Sequence, residues 1–586
     1  MNNFSTKKSF KLVLFLLLAN FTVVMGQAPL IPYVFTGTVN VAFTRTLAPA
    51  TNVDSDSTAA LQALINEVSA NIGGGTVLVS AGTYRFKNIY LKSNVFLLFD
   101  KAAIIKPFFS NGNKSQSMTI FNVGNSYDDG TLDVVLNVKV GCTNCGTDEK
   151  VTIDADGALG NYKAFGIAQV QDFSISKFLI LDNATKIAGI TFSPSFKGFY
   201  SIELYTNSGT QVFNADGSPA MHNIPTGVSW SPLNGEMKDL EIQNAHPGYG
   251  LVQAQSCRNI SFKNCTAQGG STLRLETGAT IALLPSNIDA DLGVVNDIYA
   301  EGITSINGRN AMLFQPHSRI NGRVVAKNIR SIGSAFAVYA PTGFLDADIG
   351  KNLLDADPNY IEGYYKDITI DDVVATYSST TAQLESDFQF YPQVYRNQSP
   401  LNSLPLFNND PKLKVGPSIA VIGHRSVDNV AQQKQFENGS IVATGTRSDP
   451  MGGKFYMKMT NISGIGFTDP AAACSAMLHS AEGYPSMLFG DDFSFGFNYD
   501  CSNLGTDSFE LGNKITVVPN PATTTVTVTA PIDSKINIYN TLGALLKSVQ
   551  SNNLQSKINV SDLSAGIYFV EISLAGERTV RKLIVE

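Results

Sequence analysis

The sequence predicts an all-β protein: a stack of β coils behind one N-terminal helix, then a small β-sandwich at the C-terminus. Three observations lead there. One short pattern, a polar residue followed by alternating apolar residues and a turn at Asn, Asp or Gly, recurs along the chain. Glycine is frequent, at 49 of 586 residues, and charged residues are only 16%, which suits many turns and half-buried strands. The last 74 residues change to Thr/Val-rich strands joined by tight turns. The net charge of −7 and pI of about 5.4 argue against a nucleic-acid partner, which would favour a basic chain.

Residues 1–26 read as a secretory signal. Lys7, Lys8 and Lys11 precede the apolar stretch 12–25, and Gly26, Gln27 and Ala28 supply small residues near a cleavage point. No later segment is apolar enough to span a membrane, so no membrane span is expected after processing, and the mature protein is expected outside the cell, with transient attachment to the cell surface. Residues 27–512 form the expected β-coil domain. It opens with Asp56 or Ser57 as N-cap of a helix carrying Leu61, Leu64, Ile65 and Val68 at helical spacing. Glycines 73–75 end the helix and alternating β structure begins. This opening resembles that of right-handed parallel β-helices of the pectin-degrading type, in which a helix caps the first coil.

The repeat is visible at 172–183, 239–250, 259–270, 297–308 and 367–378. Aligning the segments on their first polar residue gives a step of 20 residues from Asp239 to Asn259, and of 38 from Asn259 to Asp297. A step of 38 residues implies a loop inserted between coils, and such loops carry binding sites. Residues 341–415 break the rhythm as a long polar, aromatic excursion rich in Pro and Asn. The six cysteines include a CxxC at Cys142 and Cys145; with no second CxxC and five His in the chain, a structural role is favoured over zinc or redox chemistry.

Residues 513–586 contain "IYNTLG", "LSAGIYFVEI" and a terminal "RKLIVE". This segment closely resembles the C-terminal sorting domain of the bacterial type IX secretion system. The resemblance implies a Bacteroidetes-type organism, outer-membrane export and the type IX machinery as a partner.

The stretch with most chemistry is "STLRLETGAT", 271–280. Alternation sets Leu273 and Leu275 on one face and Arg274 and Glu276 on the other, in a chain with few charges. A surface ion pair is one reading; a general acid beside a cation for an anionic substrate is the other. Gln253 precedes Glu276 by 23 residues, about one coil, which makes the two stacked neighbours. Gln315, His317, Arg319 and Tyr339 fall on the next coils.

"GYGLVQAQSCRNISFKNCTAQGGSTLRLET", "NAMLFQPHSRINGRV" and "VGPSIAVIG" resemble segments of the iota-carrageenases, glycoside hydrolase family 82. The resemblance implies a sulfated red-algal galactan cut within the chain at β-1,4 bonds with inversion. It places the general acid on Glu276, the water-positioning glutamine on Gln253 and an active-site histidine on His317. Arg274 matches an arginine beside the acid, and Arg319, Gln315 and Tyr339 complete the expected substrate contacts. The family's second carboxylate falls on Gly278, so a base is sought in the following loop, with Asp291 preferred to Asp289. Tyr339 stands where better-known relatives carry a cation. No cofactor is expected, and a structural calcium or chloride ion is left open. A β-helix polysaccharide lyase and a glycan-binding protein without catalysis remain alternatives.

Overall fold

The structure is a computed structural model. It describes residues 29–586 except 125–132, 205–209, 279–283, 286–287, 290, 346–359, 385–386, 388–404, 408–409, 425–456, 467–514, 531–533, 542, 554 and 575–576. The expected signal segment, Cys474, Cys501 and much of the 341–415 excursion lie outside the described residues.

The helix spans Thr58–Ala70 and buries Leu61, Ile65 and Val68, with Leu64 packed at the core's edge. Ser57 is the N-cap, but its hydroxyl makes no capping bond; instead Asp56 accepts the Thr58 N–H at 2.9 Å. Beyond it the chain winds into a parallel β-helix. Among the described residues fourteen strands form one long sheet and nine form a second, with parallel pairing throughout both. Alternation turns one side of each strand inward. Ile190 pairs in register with Val252, then come Leu273, Met312, Val338 and Ile422, one residue per coil, all essentially inaccessible to solvent. Full burial of such a side chain contributes about 1.5–3 kcal/mol. The column is therefore the continuous apolar core that stacked coils require.

The long sheet bends at two ladders of left-handed residues. Asp172, Asn234, Asn259 and Asp297 share one column, each with φ between 52° and 56°. Asn234 donates to Asp172 at 2.9 Å and Asn259 donates to Asn234 at 2.7 Å. The second column runs through Asp239, Asn264, Gly302, Asn328, Asp372 and Asn461, again at positive φ. Asn, Asp and Gly tolerate that conformation, and amide side chains link coil to coil. These ladders correct the repeat alignment. Asn259 stacks on Asn234, 25 residues earlier, and Asp239 belongs to the other column, under Asn264.

Inserted segments depart from the second sheet. An antiparallel ribbon, Ser195–Glu203 with Met221–Trp230, follows the strand Ile190–Phe192. Part of the excursion folds as a three-stranded sheet of Thr381–Leu384, Leu406–Phe407 and Asp410–Gly416. Cys142 and Cys145 are joined in a disulfide, whereas Cys257 and Cys265 are buried free thiols.

At the C-terminus two antiparallel sheets, of three and four strands, enclose Val526, Ile536, Ile538, Val570, Ile572 and Leu583. This is the small sandwich that the Thr/Val pattern predicts.

Candidate active site

The strand Ser271–Glu276 lies in the second sheet between Gly250–Ala254 and Asn310–Gln315. Its inward side chains are core, so Arg274 and Glu276 project outward, yet both are buried. Both line a cavity of about 740 Å³ on the outer face of the sheet. Four groups of residues line it. Lys186, His246, Tyr249 and Arg309 come from segments leading into the strands, and Asp410 and Lys412 from the strand Asp410–Gly416 of the excursion. Arg274, Glu276, Gln315 and Tyr339 come from the strands themselves, and Pro341, Thr342 and Phe344 from the segment that leaves Val338–Ala340.

Glu276 is held from three directions. Its Oε2 accepts from the Gln253 amide at 3.0 Å and pairs with the Arg274 guanidinium. Its Oε1 meets His317 Nε2 at 3.3 Å. Gln253 is paired in register with Arg274, so its side chain leans along the strand to reach Glu276. His317, at φ 48° on the turn after Asn310–Gln315, packs on Phe344 with ring centroids 4.4 Å apart. Burial pushes the Glu276 carboxyl up, but the Arg274 charge and the His317 and Gln253 bonds overcome it and hold it at about 2. The resting carboxyl is therefore ionised at neutral pH.

Two buried donors beside it lack partners. Arg274 gives one N–H to the Gly248 carbonyl at 2.6 Å, while its Nε has no hydrogen-bond partner. His246 Nδ1 accepts the Gly248 N–H at 2.9 Å, which leaves the neutral ring's proton on Nε2, also unpartnered. Burial, with Lys186 and Arg274 nearby, pushes the His246 imidazolium pKa down and keeps it neutral. Arg309 is engaged differently. It forms a two-bond pair with Asp387, at 2.8 and 2.9 Å, and lies over the Tyr339 ring, 4.9 Å from its centroid. A cation thus stands under Tyr339 although the residue itself is aromatic.

Of the expected substrate contacts, Arg274, Gln315 and Tyr339 line the cavity. Arg319 does not, and its expected sulfate role is corrected. It is wholly buried, and its guanidinium donates to the carbonyls of Gly293 at 3.3 Å, Pro285 at 2.8 Å and Ile288 at 2.6 Å. A buried guanidinium needs its donors satisfied, and here the 285–293 turn satisfies them. The loop aspartates are also elsewhere. Asp289 pairs with Lys197 at 3.0 Å and accepts the Val228 N–H at 2.8 Å, tying the loop to the ribbon. Asp291 is exposed, and neither aspartate lines the cavity. At Gly278, φ is 43° and an added Cβ would lie 2.8 Å from Gln255 Cδ, so Gln255 fills the space a side chain there would take. Among the described residues no cluster of three His, Cys, Asp or Glu is placed to hold a metal ion.

Over 296 residues the chain is 30% identical to an iota-carrageenase of Alteromonas macleodii, covering 50% of this chain and 51% of the relative. The chain resembles iota-carrageenases. A second, from Zobellia galactanivorans, is 30% identical over 316 residues, 53% of this chain and 55% of the relative. The chain thus spans about half the length of the curated relatives it matches. A solved iota-carrageenase complexed to iota-carrageenan fragments superposes with a TM-score of 0.53 at 22% identity, over 74% of this chain and 90% of that one. An iota-carrageenase from A. fortis gives 0.56 at 21%, over 74% and 89%. These superpositions are likenesses of fold. Residues 516–586 match the family described as secretion system C-terminal sorting domain, which marks the chain as a secreted or cell-surface protein.

Proposed function

We propose that the chain is a secreted endo-hydrolase cleaving β-1,4 linkages of a sulfated galactan of the iota-carrageenan type, with inversion. The observation that carries this reading is the floor of the cavity: a buried carboxylate beside two buried N–H donors without partners, on Arg274 and His246. Such donors suit a sulfate oxygen, since guanidinium forks match tetrahedral oxyanions. Lys186 and Lys412 add positive charge at the rim.

The proposed chemistry follows from the competition for Arg274. A sulfate bound there draws the guanidinium from Glu276. Burial then favours the neutral carboxyl, which becomes a proton donor for the leaving glycosidic oxygen. Gln253 and His317 hold the carboxyl in place and bear on the charge that returns to it. A lyase would need a base beside an acidic sugar carbon, whereas Glu276 is ringed by donors that stabilise its charge and make it a poor base. The sorting domain and the 30% identity to iota-carrageenases support export and the polysaccharide class. The test is digestion of iota-, kappa- and lambda-carrageenan, agarose and pectate. Reducing ends released from iota-carrageenan, without an ultraviolet-absorbing unsaturated product, are expected. Cleavage of pectate with such a product, or binding with no reducing ends, would overturn the reading.

A further inference from the structure

Hydrolysis of a glycosidic bond by single displacement needs two carboxyl groups on opposite sides of the sugar, about 6.5–9.5 Å apart. Glu276 is one. Gly278 offers no side chain and its space is taken by Gln255, while Asp289 and Asp291 lie off the cavity. Among the described residues lining the cavity, the other carboxylate is Asp410.

Asp410 begins the strand Asp410–Gly416 of the excursion, whose first residues line the cavity. Glu276 stands at the opposite end of its strand. The two carboxylates thus line one cavity from different elements. Asp410 is lightly held: Oδ1 accepts the Lys412 N–H at 2.9 Å, and Oδ2 is 3.5 Å from Lys186 Nζ. Its side chain keeps 22% of its surface exposed, so water reaches it.

Resting on the hydrolase reading above, we propose that Asp410 is the general base. A water held by Asp410 attacks the anomeric carbon, and its proton passes to the Asp410 carboxylate. The bond from that carbon to the bridging oxygen breaks with its electron pair, and Glu276 gives its proton to that oxygen. Solvent then takes the proton from Asp410 and restores one to Glu276. The Lys412 N–H and the Lys186 charge keep Asp410 below its usual range, hence ionised and ready to accept. Lys186 also orients it, as a positioning residue.

The test uses the full secreted chain and iota-carrageenan oligosaccharides. Asp410→Asn is expected to lower kcat about 10²–10⁴-fold with KM little changed, the range for loss of one proton-transfer group. Azide, which needs no base, is expected to restore turnover and to give a glycosyl azide of inverted configuration. Asp291→Asn is expected to match wild type. Lys186→Ala separates chemistry from packing, because it breaks the ion pair and keeps the carboxylate; a small loss is expected. Near-normal turnover by Asp410→Asn overturns the base and leaves the hydrolase reading standing. So does an equal loss in Lys186→Ala and Asp410→Asn without azide rescue, which would make the pair structural. A wild-type chain that releases no reducing ends from any sulfated galactan overturns both.

Discussion

The ladders of the long sheet and the outward face of the second sheet use the same device to opposite ends. In the ladders Asn, Asp or Gly recurs coil after coil, and the side chains of Asn234, Asn259 and Asn264 are each satisfied by the coil below. On the outward face the corresponding column reads Thr191, Gln253, Arg274, Leu313, Tyr339 and Gly423, different at every coil. Repetition closes hydrogen bonds and fixes register. Variation leaves donors such as Arg274 Nε unpaired and concentrates charge at one place. Stability and chemistry are thus divided between two walls of one solenoid.

The sharpest way to break that division is at Glu276. Glu276→Gln preserves shape and its place in the column, and is expected to cost at least about 10³ in kcat, about 4 kcal/mol, with oligosaccharide binding little changed. Near-normal turnover, read as reducing ends, would remove the acid and with it the proposed mechanism.

Arg319 tests whether a buried arginine next to the site belongs to the chemical or the structural wall. Arg319→Met is expected to lose about 3 kcal/mol of stability, because three carbonyls of the 285–293 turn lose their donors. The urea midpoint reads it. A higher KM on sulfated than on desulfated oligosaccharides, at unchanged stability, would return Arg319 to the sulfate site.

Arg274→Ala sharpens the electrostatic side. Glu276 sits at about 2, below the ordinary carboxylate range, so it contributes stability that is full above its unfolded pKa and lost as pH falls through about 2. Without Arg274, burial governs and the pKa is expected to rise. The variant is then least stable relative to wild type at neutral pH, and the gap narrows on acidification. Carboxyl carbon shifts followed through a pH titration measure the rise; an unmoved Glu276 would mean His317 and Gln253 hold it alone.

The smallest effect is expected in a ladder. Asn234→Ala removes an amide that both donates to Asp172 and accepts from Asn259, at φ 55°. A loss of about 1–2 kcal/mol is expected, with activity per folded molecule unchanged. Asn234→Gly should lose less, since glycine keeps the backbone conformation.

Much of this was legible in sequence because stacked coils make periodicity into contact. Leu61, Ile65 and Val68 announce the helix, and alternation places Arg274 and Glu276 outward beside Gln253. Register was harder. The two ladders lie five residues apart, at Asn234 and Asp239, then Asn259 and Asn264, and the same polar-then-alternating pattern follows both. The pattern alone therefore pairs Asp239 with the wrong column. Of the cavity's other residues, Lys186, His246 and Arg309 stand in segments between strands, where no period exists to place them, and Asp410 opens a strand of the excursion, outside the repeat. "HPGYG" held a clue in retrospect: a histidine two residues before a glycine is positioned to accept that glycine's N–H. Arg319 shows the converse. A guanidinium suits sulfate and carbonyl oxygens alike, and burial alone tells which it serves.

The disposition of the insertions has a further consequence. The ribbon, the loop that Arg319 grips and the excursion all join the solenoid between strands, and none interrupts a ladder or the column from Val252 to Ile422. Lengthening or exchanging one of them leaves the pairing of every coil intact. Chains with this spine are free to diverge in what their groove accepts while inheriting the same barrier to unfolding. Segments transplanted between two such proteins at these junctions should carry substrate preference with them and leave the ladder pairing intact.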